Sequence, residues 1–421
     1  MSSPASPSAT STPGVVGRAT RPFVPVLLGT EIAGYGMARA FWEEFGVKSV
    51  VYGIFPLTPT AHSKFIEVRV VEDLLEPGCM VRTLNAAADG FGDATPLLVP
   101  CGDDYSIELS RIMSELDPRY AVVCAAGDIV DRMNDKESFY ELCERRGVPY
   151  PKTVVTDGPT VPDLPFGFPV ALKPSDAPAY RAHPFEGQKK AFILDNAEEL
   201  AETVRRIYAA GYPARLIIQD FIPGDDRNMR VVNGYVRGDG TVSLISLGHP
   251  LLEDCAPMRI GNYAAILSYA DDAIYDTVEK LMAHSGYRGF FNIDMKYDPR
   301  DDSFKLFEVN PRAGRSSFFT TLSGYNLARY AVDDLIHGGV LKPVRATAEV
   351  LWVGVPRCVV REYVEEGPEK QRALELMREG KCGTTLFGAH DNDPRRLWNM
   401  AKLWAHYIVD FKKYFGHRDL S

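Results

Sequence analysis

Nothing in this 421-residue sequence approaches the eighteen or so consecutive apolar residues of a membrane-spanning helix, so no membrane span is expected. It has no GxxxxGK followed by Ser or Thr, and the Gly-Lys-Cys at residues 380–382 is no phosphate-binding loop. HExxH and GxSxG are also missing, which excludes two common hydrolase signatures. The eight histidines lack metal-ligand spacing. Seven cysteines lie scattered without a CxxC, an odd number in a long chain, and reduced thiols in a cytoplasmic setting are expected. A net charge of −9 argues against a nucleic-acid partner, though not against a local basic cleft. No internal repeat is visible.

What is present is ordinary for a globular protein: 45% apolar and 24% charged residues, with enough length for two to four domains. Residues 1–21 begin Ser/Pro/Thr-rich, with neither a basic segment nor an apolar one, and read as a disordered lead-in rather than a signal peptide. Phe23 to Leu28, a helix through Phe45 and Lys48 to Ile54 make a βαβ opening. Further alternation follows, and residues 22–127 read as a small open parallel sheet. The glycines of Gly29-Thr-Glu-Ile-Ala-Gly34-Tyr-Gly36 do not fit GxGxxG, so a dinucleotide oxidoreductase is not supported. From residue 128 the order becomes mixed, with antiparallel hairpins and helices in an α+β arrangement; one hairpin turns at Gly238-Asp-Gly240. In residues 341–421 the last helix carries Leu397, Met400, Trp404, Ile408, Phe411 and Phe415 at three-to-four spacing, a face expected to pack on the body. Arg395, Arg396, Lys402, Lys412 and Lys413 make that helix basic, so peripheral association with a membrane surface is the minority reading.

The chemistry concentrates in Asn292-Ile-Asp-Met-Lys-Tyr-Asp-Pro-Arg-Asp-Asp-Ser-Phe-Lys-Leu-Phe-Glu-Val-Asn310. Two aromatic and β-branched runs flank Asp298–Asp302, which reads as a turn. A symmetric turn sets Asp294 opposite Glu308 and Asn292 opposite Asn310, all on one face. Two carboxylates about 4 Å apart repel by roughly 4 kcal/mol at an effective dielectric near 20. Hard oxygen ligands without His or Cys suit Mg²⁺, which completes its shell with phosphate oxygens and water. Arg312 and Arg315 follow at the strand end as planar phosphate-binding forks. Lys136 sits in the first turn of a helix capped by Asn134 or Asp135, where the dipole disfavours a cation unless an anion is near. Lys173 closes an apolar strand at its carboxyl end.

Two lysines, two acids and terminal arginines together resemble the ATP-grasp superfamily, over roughly residues 22–335. The resemblance implies an α/β and α+β architecture: the parallel-sheet domain (22–127), the two halves of the grasp (128–215 and 216–340) and a C-terminal extension (341–421). It implies ATP with one or two Mg²⁺ ions, Mn²⁺ being an alternative, and ligation of a carboxylate to an amine through an acyl phosphate. Lys136 and Lys173 match the phosphate-binding lysines. Gln219, with the backbone at Phe221 and Ile222, would face adenine, and Asp225 or Asp226 the ribose. Asp294, Glu308 and Asn310 match the metal ligands, and Arg312 or Arg315 the arginine that stabilises the transferring phosphoryl group. The near glycine-free segment after Lys173, together with Glu308-Val-Asn-Pro-Arg-Ala-Gly-Arg-Ser316, is similar to the D-aspartate ligases of bacterial cell-wall synthesis. Those enzymes couple D-aspartate to a lysine side chain of a peptidoglycan precursor. His183, Glu186 and Lys189, with Lys190, would then lie in a lid, and Ser316 beside the substrate. The alternatives are a ligase for another amino acid or a soluble peptide, and a grasp-fold binding protein that has lost catalysis. A homodimer would be ordinary for the superfamily.

Overall fold

A computed structural model describes residues 21–417 except 258, so nearly all of the expected lead-in lies outside the described residues. Among the described residues, seventeen strands form three sheets. The first contains β1 (Phe23–Leu28), β2 (Ser49–Gly53), β3 (Ile66–Val70), β4 (Thr95–Pro100) and β5 (Ala121–Val122). Its order is β3-β2-β1-β4-β5 with all neighbours parallel. The chain direction across the sheet reverses between β1 and β4, and the crevice there opens at the strands' carboxyl ends. Val26, Leu27, Leu28, Leu97, Leu98 and Val99 are wholly buried, as a parallel sheet covered on both faces requires.

The second sheet contains β6 (Thr153–Thr156), β7 (Val170–Pro174), β8 (Phe192–Leu194) and β9 (Leu216–Asp220), antiparallel in the order β6-β9-β7-β8. Helix Ala197–Ala209 seals it, burying Leu200, Val204 and Ile207. Before this sheet comes helix Lys136–Arg146. Asp135 caps it by accepting from the Ser138 N–H at 2.9 Å, and Gly147 ends it in the left-handed region at φ 57.

The third sheet holds the hairpin that carries Asp294 and Glu308. It is built from β10 (Met229–Val236), β11 (Val242–Glu253), β12 (Tyr263–Tyr269), β13 (Gly289–Asp298), β14 (Ser303–Asn310), β15 (Val344–Arg345), β16 (Leu351–Val353) and β17 (Cys382–Gly383). Its order is β14-β13-β10-β11-β12-β16-β17, with β15 beside β11, so the hairpin forms one edge. Three strands of this sheet come from beyond residue 341, which makes the C-terminal segment part of the central sheet.

The last helix, Pro394–Tyr414, packs on the body through most of the apolar stripe, with Trp404 and Ile408 against the core, but its first turn departs from it. Met400 and Phe411 are buried as expected, but Leu397 is 42% exposed while Arg396 is 1% exposed. The cause is Asp391, whose carboxylate draws the Arg396 guanidinium inward at 2.7 Å, with the Tyr35 ring 4.0 Å away. Leu397 is carried outward as a result, beside the exposed Trp398. No described helix is long and apolar enough to cross a membrane.

Candidate active site

Strand pairing brings Asp294 opposite Glu308 and Asn292 opposite Asn310. The turn does not achieve this by symmetry. Near it Asp298 pairs with Ser303 and Met295 with Leu306, a register that would set Asp294 opposite Phe307. A bulge at Phe307 supplies the missing residue. Two consecutive side chains, Phe307 and Glu308, consequently look into the same cleft. The turn itself is an anchor, because Arg300 forks onto Asp220 at 2.9 Å for both bonds and also holds Asp298. The hairpin is thereby tied to the end of β9 on the opposite sheet.

The cleft between the two sheets measures about 390 Å³ and brings together Lys136, Lys173, Gln219, Phe221, Ile222, Asp226, Asp294 and Glu308. Lys136 Nζ lies 3.2 Å from Glu308 Oε2. Burial, the largest influence, pulls the Lys136 ammonium down, but Glu308, Tyr140 and Asp294 together outweigh it and the net shift is upward. Burial equally disfavours charge on Glu308, yet Lys136 first, and then Lys173 and Lys190, hold its carboxyl below the usual range. Asp294 goes the other way. Burial and then Glu308 push it up to about 7, against the hydrogen bond that Tyr263 Oη donates at 2.8 Å. Lys173 is drawn down to about 8 by burial and then by Lys136, with its Nζ 5.4 Å from the centre of the Phe307 ring. Among the described residues Lys173 has no carboxylate within ion-pair distance.

Four polar side chains cross the large sheet in one row: Ser246, Asn233, Asn292 and Asn310. Asn310 Nδ2 donates to Asn292 Oδ1 at 3.0 Å, and Asn292 Nδ2 to Asn233 Oδ1 at 3.1 Å. This polarity leaves the Asn310 amide oxygen as its outward group, oriented from behind by a chain of amides. Gly314 rests on that chain, since a Cβ there would lie 2.8 Å from Asn292 Nδ2.

Mg²⁺ fits this donor set: two carboxylates that repel one another and an amide oxygen, all hard ligands. Among the described residues no three His, Cys, Asp or Glu side chains group to hold a metal, so the ion would take the rest of its shell from phosphate and water.

Several expected residues lie elsewhere. Asp225 is outside the cleft wall, because Arg227 grips both its oxygens, one at 2.6 Å. Gln219 lines the cleft but spends its amide on Tyr140 Oη at 2.7 Å and Thr153 Oγ1 at 3.1 Å, which leaves the Phe221–Ile222 backbone as the free edge. His183 ends a short helix with Nδ1 on the Ala179 carbonyl at 2.8 Å, and neither it, Glu186 nor Lys189 lines the cleft. The lid residue that does is Lys190. Ser316 is buried in the turn after the hairpin, its carbonyl accepting from the Phe319 N–H. The two arginines separate: Arg312 acts on Asp294 and reaches the Asn310 amide oxygen at 3.5 Å, whereas Arg315 donates to Tyr407 Oη at 2.8 Å. Arg312 also forks onto Asp103, at 2.6 and 2.8 Å, across the crevice at the carboxyl end of β4.

Sequence reasoning missed Tyr263, Glu253 and Lys296. Glu253 is pushed up to about 7 by burial and then by Asp226. Lys296 Nζ donates to the Gly224 carbonyl at 2.7 Å and lies 5.1 Å from the Phe221 ring centre. A signal existed for one of them: Lys296 lies two positions past Asp294 on the same strand face.

No protein-family model matches the chain. Among solved structures it is similar to N5-carboxyaminoimidazole synthetase from Staphylococcus aureus complexed with ADP, at a TM-score of 0.56 and 13% identity over 78% of this chain and 82% of that one. It is also similar to L-amino acid ligase from Bacillus licheniformis, at a TM-score of 0.53 and 14% identity over 77% and 79%. The fold is that of the ATP-grasp ligases. By sequence the chain is 42% identical over 410 residues, 93% of its length and 97% of the relative's, to the D-aspartate ligase of Enterococcus faecium (strain Aus0004). The chain belongs to the D-aspartate ligase family, and it is an ATP-dependent carboxylate–amine ligase.

Proposed function

We propose that this enzyme joins a carboxylate of D-aspartate to the lysine side-chain amine of a peptidoglycan precursor peptide, with ADP and phosphate as products. The observation that carries the chemistry is the opposed Asp294–Glu308 pair facing Lys136 and Lys173 in one cleft. The choice of D-aspartate rests on the full-length match to a D-aspartate ligase.

In this reading Lys136 and Lys173 neutralise the phosphate oxygens of ATP, and Lys173, lacking a carboxylate of its own, gains its counter-charge from the nucleotide. The Phe221 carbonyl and the Ile222 N–H, free of protein partners among the described residues, receive the adenine edge, and Asp226 lies toward the ribose. Asp294, Glu308 and Asn310 hold Mg²⁺, which when bound neutralises phosphate charge so that a carboxylate can approach. Tyr263 fixes Asp294 and the asparagine row fixes Asn310. Arg312 stabilises the charge of the transferring phosphoryl group from the side of the parallel-sheet crevice, through which the substrates enter. Lys190 and the Ile260–Gly261 loop exclude water from the activated carboxylate. The reaction belongs in the cytoplasm, where such precursors are made.

The test is ADP release by the purified protein with ATP, Mg²⁺ and a UDP-linked muramyl pentapeptide containing lysine. D-aspartate, L-aspartate, D-serine and glycine are supplied in turn. Release with D-aspartate alone, and a mass gain of one aspartyl residue on the peptide, is the expected result. Equal release with L-aspartate or with no peptide would overturn the substrate assignment.

A further inference from the structure

One wall of the cleft comes from the segment joining β11 to β12, through Ile260 and Gly261. Its anchor is Arg259. Nε of Arg259 donates to Asp254 Oδ2 within the same segment at 2.7 Å, and Nη2 donates to Asp410 Oδ2 on the last helix at 2.6 Å. The guanidinium also lies 4.9 Å from the ring centre of Tyr407. The hydroxyl of that same tyrosine accepts from Arg315, in the turn that follows Asn310. Tyr407 and Asp410 are three residues apart, so they are neighbours on one face of helix Pro394–Tyr414, and Tyr407 is 2% exposed. One turn of a C-terminal helix therefore grips a segment of the cleft wall and the turn that follows the β13–β14 hairpin, which are distant from each other in sequence.

We infer that Tyr407 and Asp410 are positioning residues: Asp410 holds the Arg259–Gly261 stretch over the nucleotide, and Tyr407 holds Arg315 in place beside the strand that carries Glu308 and Asn310. The inference rests on the cleft being the nucleotide site. Asp254 restrains Arg259 only within its own loop, whereas Asp410 ties that loop to the body of the protein. Without the tie, nucleotide binding must order the loop as well, and affinity falls. The tyrosine has two separable functions. Its ring supports Arg259 and its hydroxyl supports Arg315, so Tyr407→Phe removes the second and leaves the first.

The experiment is calorimetric titration of Mg²⁺–ADP into the full-length protein and its variants, which needs no amino-acid substrate. Asp410→Asn is expected to weaken ADP binding roughly tenfold, and Asp410→Glu to restore most of the loss. Trypsin should cleave after Arg259 faster in Asp410→Asn than in the wild type. Tyr407→Phe should retain wild-type ADP affinity and KM for ATP while kcat falls roughly tenfold. Unchanged ADP affinity in Asp410→Asn overturns the loop assignment, and unchanged kcat in Tyr407→Phe overturns the Arg315 assignment. A wild type that binds no ADP overturns the nucleotide reading and this inference together, whereas a wild type that binds ADP, with affinity unchanged in Asp410→Asn and kcat unchanged in Tyr407→Phe, overturns this inference alone. Should Asp410→Asn fail to fold, the split between kcat and KM in Tyr407→Phe decides the case.

Discussion

Asp294 carries the least comfortable charge in the cleft, because burial and Glu308 act on it in the same direction. Its folded value is raised to about 7, whereas an unfolded aspartate titrates near about 3.9. Between those values the folded state keeps a proton that the unfolded state has released. Its contribution to stability is thus present below the lower value and lost as pH rises through the upper one. Glu308, held low, has the opposite sign, and its contribution is lost only as pH falls below the ordinary glutamate range, so it leaves most of this slope untouched. Thermal unfolding in the presence of a chelator should show Tm falling between about pH 4 and 7, and Asp294→Asn should flatten much of that fall, Glu253, also raised to about 7, supplying the rest. A variant that keeps the full slope would remove Asp294 as its source. Strand alternation, a local rule, puts Asp294 with Asn292 and Glu308 with Asn310, but the facing of the two acids rests on the bulge at Phe307 and not on the symmetric turn read from the sequence. Tyr263 and Lys190 were less legible, since each reaches the cleft from a different element. Spacing alone could not choose between Arg312 and Arg315 either, because the choice is made by Asp103 and Tyr407, far away in the chain.

Among the elements, helix Lys136–Arg146 and the β13–β14 hairpin show where sequence reading succeeds and where it stops. The helix was legible at both ends, since a capping Asp135 and a terminating Gly147 are signals contained within it. Asp135 also takes Arg215 at 3.3 Å, so the cap joins the helix start to the beginning of β9. Replacing it, as Asp135→Ala, should cost about 1 kcal/mol in urea unfolding and weaken ADP binding, because Lys136 is the first residue of the helix it caps. Stability loss with unaltered ADP affinity would mean that Lys136 does not depend on the cap. The bulge at Phe307 was not legible. It is a mismatch between two strands, and neither strand contains it alone. The first turn of the last helix was misjudged for a related reason: periodicity ranks Arg396 as polar and outward, and only Asp391 makes it a buried side chain.

At the scale of the whole molecule, the C-terminal segment binds the first domain to the last sheet. Arg39 Nη1 donates to the carbonyls of Thr384, Thr385 and Phe387, and Arg396 to those of Pro59 and Leu386. Tyr35 Oη donates to Asp391 at 3.0 Å. Removing Arg396 would strand Asp391, which is 3% exposed, with an uncompensated charge. Arg396→Met should therefore lower the unfolding free energy by about 3–5 kcal/mol, measured with urea at pH 7.5, and adding Asp391→Asn should relieve part of the loss. An equal loss in the double variant would assign the effect to packing instead. The strand addition that completes the large sheet bears on how the chain is made. The ribosome delivers β13 and β14, with every proposed metal ligand, well before β16 and β17. Domains that emerge first generally fold first. Here the parallel-sheet domain must wait with the docking face of Tyr35 and Arg39 uncovered until residues 384–396 arrive, so the nascent enzyme spends the final stretch of its own synthesis with its chemistry assembled and its scaffold unfinished.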